Sequence, residues 1–228
     1  MEFKPFDARH YPTLAVDEGY EEWARTYDTV VQDEMDLRLL ARLDVHWAAE
    51  RALDLACGTG RIGQWLRAQG VATIDGLDFT PAMLAKARAR GVYDTLLEGD
   101  VRATGLPDAR YDLALMVLAD EHLDELGSLY REVARITAVG GCFILVGYHP
   151  HFMLNGIPTH FNRESGQPVA IETYVHLLSD HVKAAHRSGW MLRALEEGLV
   201  DQAWLAKKPK WARYEHHPVS FAAVWRRA

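Results

Sequence analysis

A chain of 228 residues with 49% apolar and 25% charged residues suffices for one buried core and is too short for two comfortable domains. Its 25 Lys and Arg against 32 Asp and Glu leave a net charge of −7, which disfavours nucleic acid, because a phosphate backbone requires a basic face. No stretch approaches a membrane span, and the N-terminus lacks the basic and apolar regions of a secretory leader. Cys57 and Cys142 both fall in apolar surroundings. Together these features predict a cytoplasmic monomer or homodimer built as a single domain over 1–228.

Residues 17–43 carry apolar side chains at helical spacing and predict one or two helices, with 1–45 as a helical cover. "RALDLA" then reads as a buried strand, followed by the helix "RIGQWLRAQG" stopping at Gly70. "ATIDGLD" is a second strand, and "TPAMLAKARARG" a helix with Thr80 as its N-cap and Pro81 at its first position. "TLLEGD" and "YDLALMVLA" predict two more strands, 124–137 a helix and "GGCFILVGY" a fifth strand. Such alternation predicts a doubly wound α/β fold with a mostly parallel sheet. After His149 the pattern breaks: two extended arms about "RESG" predict an insert over 149–175, on the substrate side. A helix near 176–188 and two final strands, "MLRALEEGLV" and "PVSFAAVWRR", complete the chain.

The segment "LDLACGTGRIG" contains a G-x-G-x-x-G after a strand and before a helix, the pattern of a backbone that approaches a nucleotide closely. Asp78 follows Gly58 by 20 residues, the spacing of a ribose-binding acid. Asp54 lies four residues before Gly58, where a second negative charge opposes a pyrophosphate and favours a cationic nucleoside. Asp100, 22 residues beyond Asp78, adds an acceptor for a base amine. Three acids at three strand ends line the edge where open α/β sheets bind ligands.

In these motifs the chain resembles the class I S-adenosylmethionine-dependent methyltransferases, in particular the small-molecule branch that includes ubiquinone and menaquinone biosynthesis. "LDLACGTG" is similar to the family's first motif, "IDGLDFTPAMLAKAR" to its second and "LEGDV" to its adenine-contacting motif. The resemblance implies a seven-stranded sheet with the last strand antiparallel, S-adenosylmethionine as cofactor, S-adenosylhomocysteine as product and a methylated small molecule. It implies cofactor contacts at Asp54, Ala56, Gly58 and Gly60, at Asp78, Phe79 and Met83, and at Asp100, Val101 and Leu118. Other chemistry on the same cofactor, a non-catalytic cofactor-binding subunit and an NAD-dependent oxidoreductase are the alternatives.

The variable segments above the sheet edge are rich in aromatic and histidine residues, which predicts a pocket for a planar, apolar or acidic acceptor. Its expected contacts are Tyr20, Trp23, Tyr27, His149, His160 and Tyr174. A base is required only for a protonated acceptor, and the candidates are His122, directly after the fourth strand, then His176 and His181. No metal-ligand spacing appears among the eleven histidines. The basic run from Lys207 to Arg213 reads either as a solvated turn or as an attractor of an acidic acceptor.

Overall fold

The structure is a computed structural model that describes residues 1–31 and 35–228. A two-residue strand β1 (Thr13–Leu14) precedes helices α1 (Val16–Trp23), α2 (Tyr27–Val30) and α3 (Met35–Leu40). The helical signal over 17–43 therefore resolves into three short helices, and residues 32–34 of it lie outside the described ones. The alternating section runs β2 (Arg51–Leu55), α4 (Arg61–Ala68), β3 (Thr73–Asp78), α5 (Pro81–Arg90), β4 (Thr95–Glu98), β5 (Tyr111–Val117), α6 (Gly127–Ile136) and β6 (Thr137–Tyr148). The insert contributes α7 (Pro150–Leu154), β7 (His160–Asn162) and β8 (Pro168–Ile171). Helix α8 (Leu178–Arg187), strand β9 (Trp190–Leu199), helix α9 (Gln202–Lys207) and strand β10 (Pro218–Arg227) end the chain.

Seven strands form one sheet in the order β4, β3, β2, β5, β6, β10, β9, with β10 antiparallel to both neighbours and the other pairings parallel, as expected. Both faces are covered, which is why its central strands read as unbroken apolar runs. Alternation assigns each residue a side: Leu53 and Leu55 pack with Leu129, Tyr130 and Val133 of α6. Ala52 packs instead with Leu39 and Leu40 of α3 and Ile62 and Leu66 of α4. From β2 the chain first winds outward through β3 to β4, then returns to β5 on the other side of β2. That reversal opens a crevice at the carboxyl ends of β2 and β5.

A second sheet, β1, β8, β7, joins the N-terminal segment to the insert and lies over this crevice. Strand β1 pairs parallel with β8 (Thr13 opposite Ala170), and β7 pairs antiparallel with it. The N-terminal ammonium donates to the Val175 carbonyl at 2.8 Å and the Phe3 amide to that of Thr173 at 3.2 Å. Gly19 is what lets α1 lie on the insert, because a Cβ there would stand 2.8 Å from Ile171 Cγ1. Among the described residues no helix is long and apolar enough to cross a membrane.

Candidate active site

Past Leu55 the backbone turns through left-handed residues, Ala56 (φ 52°), Gly58 (φ 53°) and Gly60 (φ 88°). A non-glycine residue held there stores strain, and Leu118 (φ 54°), just past the end of β5, is a second case. The Asp78 carboxylate fastens the loop, accepting from the Gly58 amide and from the Thr80 amide, each at 2.8 Å. Burial pushes the Asp78 carboxyl up, against these hydrogen bonds. Thr80 occupies the N-cap of α5, yet its side chain makes no cap bond. The Ala82 amide donates instead to Glu21 Oε2 of α1 at 3.1 Å, which seats the cover on α5.

Asp54 stands near the end of β2. Its carboxylate is buried and accepts from the Tyr93 hydroxyl at 2.6 Å. Burial pushes its pKa up to about 7. Gly63, the third glycine of the motif, is required here, because a Cβ would fall 2.4 Å from the Tyr93 ring. Asp54 and Gly60 line neither of the two cavities described below. By strand parity Asp54 shares the side of Ala52, which α4 covers.

Above the loop lies a cavity of about 510 Å³. The sequence-derived residues Ala56, Gly58, Asp78, Phe79, Met83, Asp100, Val101 and Leu118 all line it. From the other side the cover contributes Asp17, Tyr20, Tyr27, Glu172 and Tyr174, of which Asp17 and Glu172 were not anticipated. Arg102 was missed as well. Its guanidinium binds Asp100 through Nε at 3.0 Å and Nη2 at 2.8 Å, holding the Asp100 carboxyl below its ordinary range. The only signal was the i, i+2 spacing of opposite charges in "DVR".

A second cavity, of about 290 Å³, adjoins the first, and Tyr20, Tyr27 and Leu118 line both. Its walls are aromatic: Trp23 stacks on Phe161 at 5.4 Å and Phe152 on Trp211 at 5.1 Å. His160 lines it, as do Lys208 and Lys210 of the basic run, so this run is not merely a solvated turn. Glu121 also lines it and is buried; its Oε1 accepts from the Thr159 hydroxyl at 3.1 Å, and Oε2 has no partner among the described residues. Burial, and then the charge of Asp120, pushes the Glu121 carboxyl up to about 8.

The histidines separate into distinct roles. His122 lines the first cavity, and its Nδ1 lies 2.7 Å from the Glu172 carbonyl. A carbonyl only accepts, so Nδ1 carries the proton and Nε2 of the neutral ring accepts from the Tyr20 hydroxyl at 2.8 Å. Burial lowers the His122 pKa to about 4. His176 and His181 lie outside both cavities. His176 Nε2 donates to the Leu123 carbonyl at 2.7 Å, and His181 Nδ1 meets the Tyr130 hydroxyl at 3.0 Å. Both are thus committed to packing beneath the site. His149 lines neither cavity; its Nδ1 accepts from the His151 amide, and Nε2 meets Glu197 at 2.9 Å.

A methyltransferase-domain family matches this chain over residues 53–145, the section from β2 to β6 that builds the glycine loop and the acid-bearing strand ends. Residues 53–145 are a methyltransferase domain. The methyltransferase domain is similar to curated relatives. The chain is 29% identical over 204 residues to a malonyl-[acyl-carrier protein] O-methyltransferase of Halorhodospira halophila, covering 86% of this chain and 65% of the relative. It is 36% identical over 124 residues to a demethylmenaquinone methyltransferase of Thermus thermophilus, covering 50% and 56%. The chain thus spans less than two thirds of either relative's length. In fold, an S-adenosylmethionine-dependent methyltransferase from Mesorhizobium loti superposes with a TM-score of 0.69 at 24% identity, covering 86% of this chain and 99% of that one.

Proposed function

We propose that this chain transfers a methyl group from S-adenosylmethionine to a small aromatic or acidic molecule, releasing S-adenosylhomocysteine. The observation that carries the reading is the meeting of two cavities at Tyr20, Tyr27 and Leu118. One has a glycine cradle and acidic strand ends, the other aromatic walls. Methyl transfer is an in-line displacement between two bound molecules, and adjoining compartments meet its need for alignment.

The first cavity fits the cofactor in size and chemistry. Its volume falls within the ordinary range for a nucleoside-sized ligand. Gly58 leaves open space where a Cβ would project, and Asp78 keeps lone pairs for ribose hydroxyls after accepting two amide bonds. Phe79, Met83, Val101 and Leu123 supply an apolar sleeve for the base, and Asp17 and Glu172 place negative charge opposite it for an ammonium group. When bound, S-adenosylmethionine supplies an electrophilic methyl group. The protein aligns it and excludes water with the cover sheet. His122 is neutral near pH 7 and orients the Tyr20 hydroxyl, which stands where the compartments join.

Names of the relatives support an acceptor that is small or carried on a protein. A reducing cytoplasm is the proposed compartment, because both cysteines are free. Isothermal titration with S-adenosylmethionine, S-adenosylhomocysteine and NAD tests the reading. Micromolar binding of both sulfur nucleosides, abolished in Asp78→Ala and absent for NAD, is expected. Binding of NAD alone would overturn it.

A further inference from the structure

Strand β9 forms one edge of the seven-stranded sheet: β10 pairs with its inner side, and among the described residues no strand pairs with its outer side. It is ten residues long, against four for the opposite edge, β4. Leu192, Leu195 and Leu199 are 42%, 41% and 47% exposed, although a long edge facing water is ordinarily shortened or blunted by charge. The backbone alternates in what it faces. Val200, just past the strand, donates to the His217 carbonyl at 3.0 Å and accepts from the His216 amide at 2.9 Å, so the odd-numbered residues before it turn their amides and carbonyls outward. The Arg42 guanidinium accordingly donates to the Glu197 carbonyl at 3.3 Å, a group that β10 does not reach. An irregularity lies between Leu192 and Ala194, so 194–198 is straight and Arg193 stands at its end. Arg193, Leu195 and Glu197 share one side of the sheet by alternation, and Arg193 has no hydrogen-bond or ion-pair partner among the described residues.

We infer that a second copy of this chain docks on β9, antiparallel and two-fold symmetric about Leu195, so that one sheet continues into the other. The partner follows from the strand itself, which complements its own sequence in one register. An antiparallel pair opposes only residues of like backbone orientation, so the two-fold axis passes through a residue and never between two. An axis at Arg193, Glu196 or Glu197 sets like charges face to face. One at Ala194 leaves Arg193 against Leu195 and Glu197 against Met191, each charge facing an apolar side chain. An axis at Leu195 instead opposes Leu195 to itself, Arg193 to the second copy's Glu197 and Glu197 to the second copy's Arg193. Glu197 meets His149 through Oε1, which leaves Oε2 to face that guanidinium. Leu195 on the axis has its amide and carbonyl turned outward, as strand addition to a sheet edge requires.

Sedimentation velocity on the purified chain at about 1 to 100 µM, the range in which modest interfaces associate, tests this. The wild type should reach twice the 25.8 kDa mass of one chain. Leu195→Lys sets two ammonium groups on the axis, and Arg193→Glu opposes Glu197 with a like charge; each should weaken the dimer at least about tenfold. Glu197→Arg alone should do the same. Arg193→Glu combined with Glu197→Arg should restore the dimer, a recovery that damage to the fold cannot produce. Val139→Lys, at an exposed apolar position of β6, should leave the dimer intact, and far-UV circular dichroism of Leu195→Lys should match the wild type. A wild type that stays monomeric at about 100 µM overturns the inference and leaves the edge to a strand from another protein. A dimer that survives Leu195→Lys or Arg193→Glu overturns it too, as does a double exchange that remains monomeric. So does an assembly of more than two chains, which a closed two-fold contact does not build.

Discussion

Tyr93 shows how one side chain ties a motif together: it packs on Gly60 and Gly63 and donates a hydrogen bond to the buried Asp54. Gly63→Ala should therefore destabilise despite its better helix propensity, by about 1–3 kcal/mol from overpacking against the ring, measured as a shift in urea midpoint. Tyr93→Phe should cost a comparable about 1–3 kcal/mol, because it removes a hydrogen bond from a buried carboxyl. His122 carries a pH signature. Its folded pKa of about 4 lies below the ordinary 6.5, so only the unfolded chain gains its proton between those values. Its contribution is complete above about pH 6.5 and is lost as pH falls toward 4, reaching roughly 3 kcal/mol. Urea unfolding at several pH values should show His122→Gln losing less stability on acidification than the wild type.

Short elements show the reverse sign and the limits of pattern. Glu121, in the turn after β5, has its carboxyl raised from 4.5 to about 8 by burial and then by Asp120. Its stabilising contribution is full below about pH 4.5 and is lost as pH rises through about 8, since the unfolded chain ionises first. Thermal melts should accordingly show Glu121→Gln gaining on the wild type at pH 9 and differing little at pH 4. At the cover, Gly19→Val should drive a side chain into Ile171 and displace α1 with its Tyr20. The expected result is a loss of S-adenosylhomocysteine affinity of about tenfold or more with a smaller change in melting temperature, since the main core is untouched.

Across the whole molecule, what could be read beforehand follows the reach of each signal. Period and punctuation located the strands, the crossovers and the insert, because burying both faces of a parallel sheet imposes long apolar runs on the sequence. Spacing likewise brought Asp78, Phe79, Met83 and Leu118 to one edge. Strand parity likewise set Asp54 on the side of Ala52, away from the residues that line the first cavity. His181 was similarly legible in principle, lying on the Leu178, His181, Ala185 stripe that α8 turns toward the core. Arg102 and Glu172 were not, and the basic run of Lys208 and Lys210 stayed open between two readings, since these depend on where the cover and the final loop settle over the sheet. Two compartments meet at Tyr20 and Leu118, and a crystal structure with S-adenosylhomocysteine tests most directly whether they divide cofactor from acceptor. The ribose should lie on Asp78, the adenine between Phe79 and Val101, and the sulfur beside Leu118 and Tyr20, facing the aromatic cavity. A nucleoside lodged in the aromatic cavity, or one whose sulfur points away from Tyr20, would contradict it.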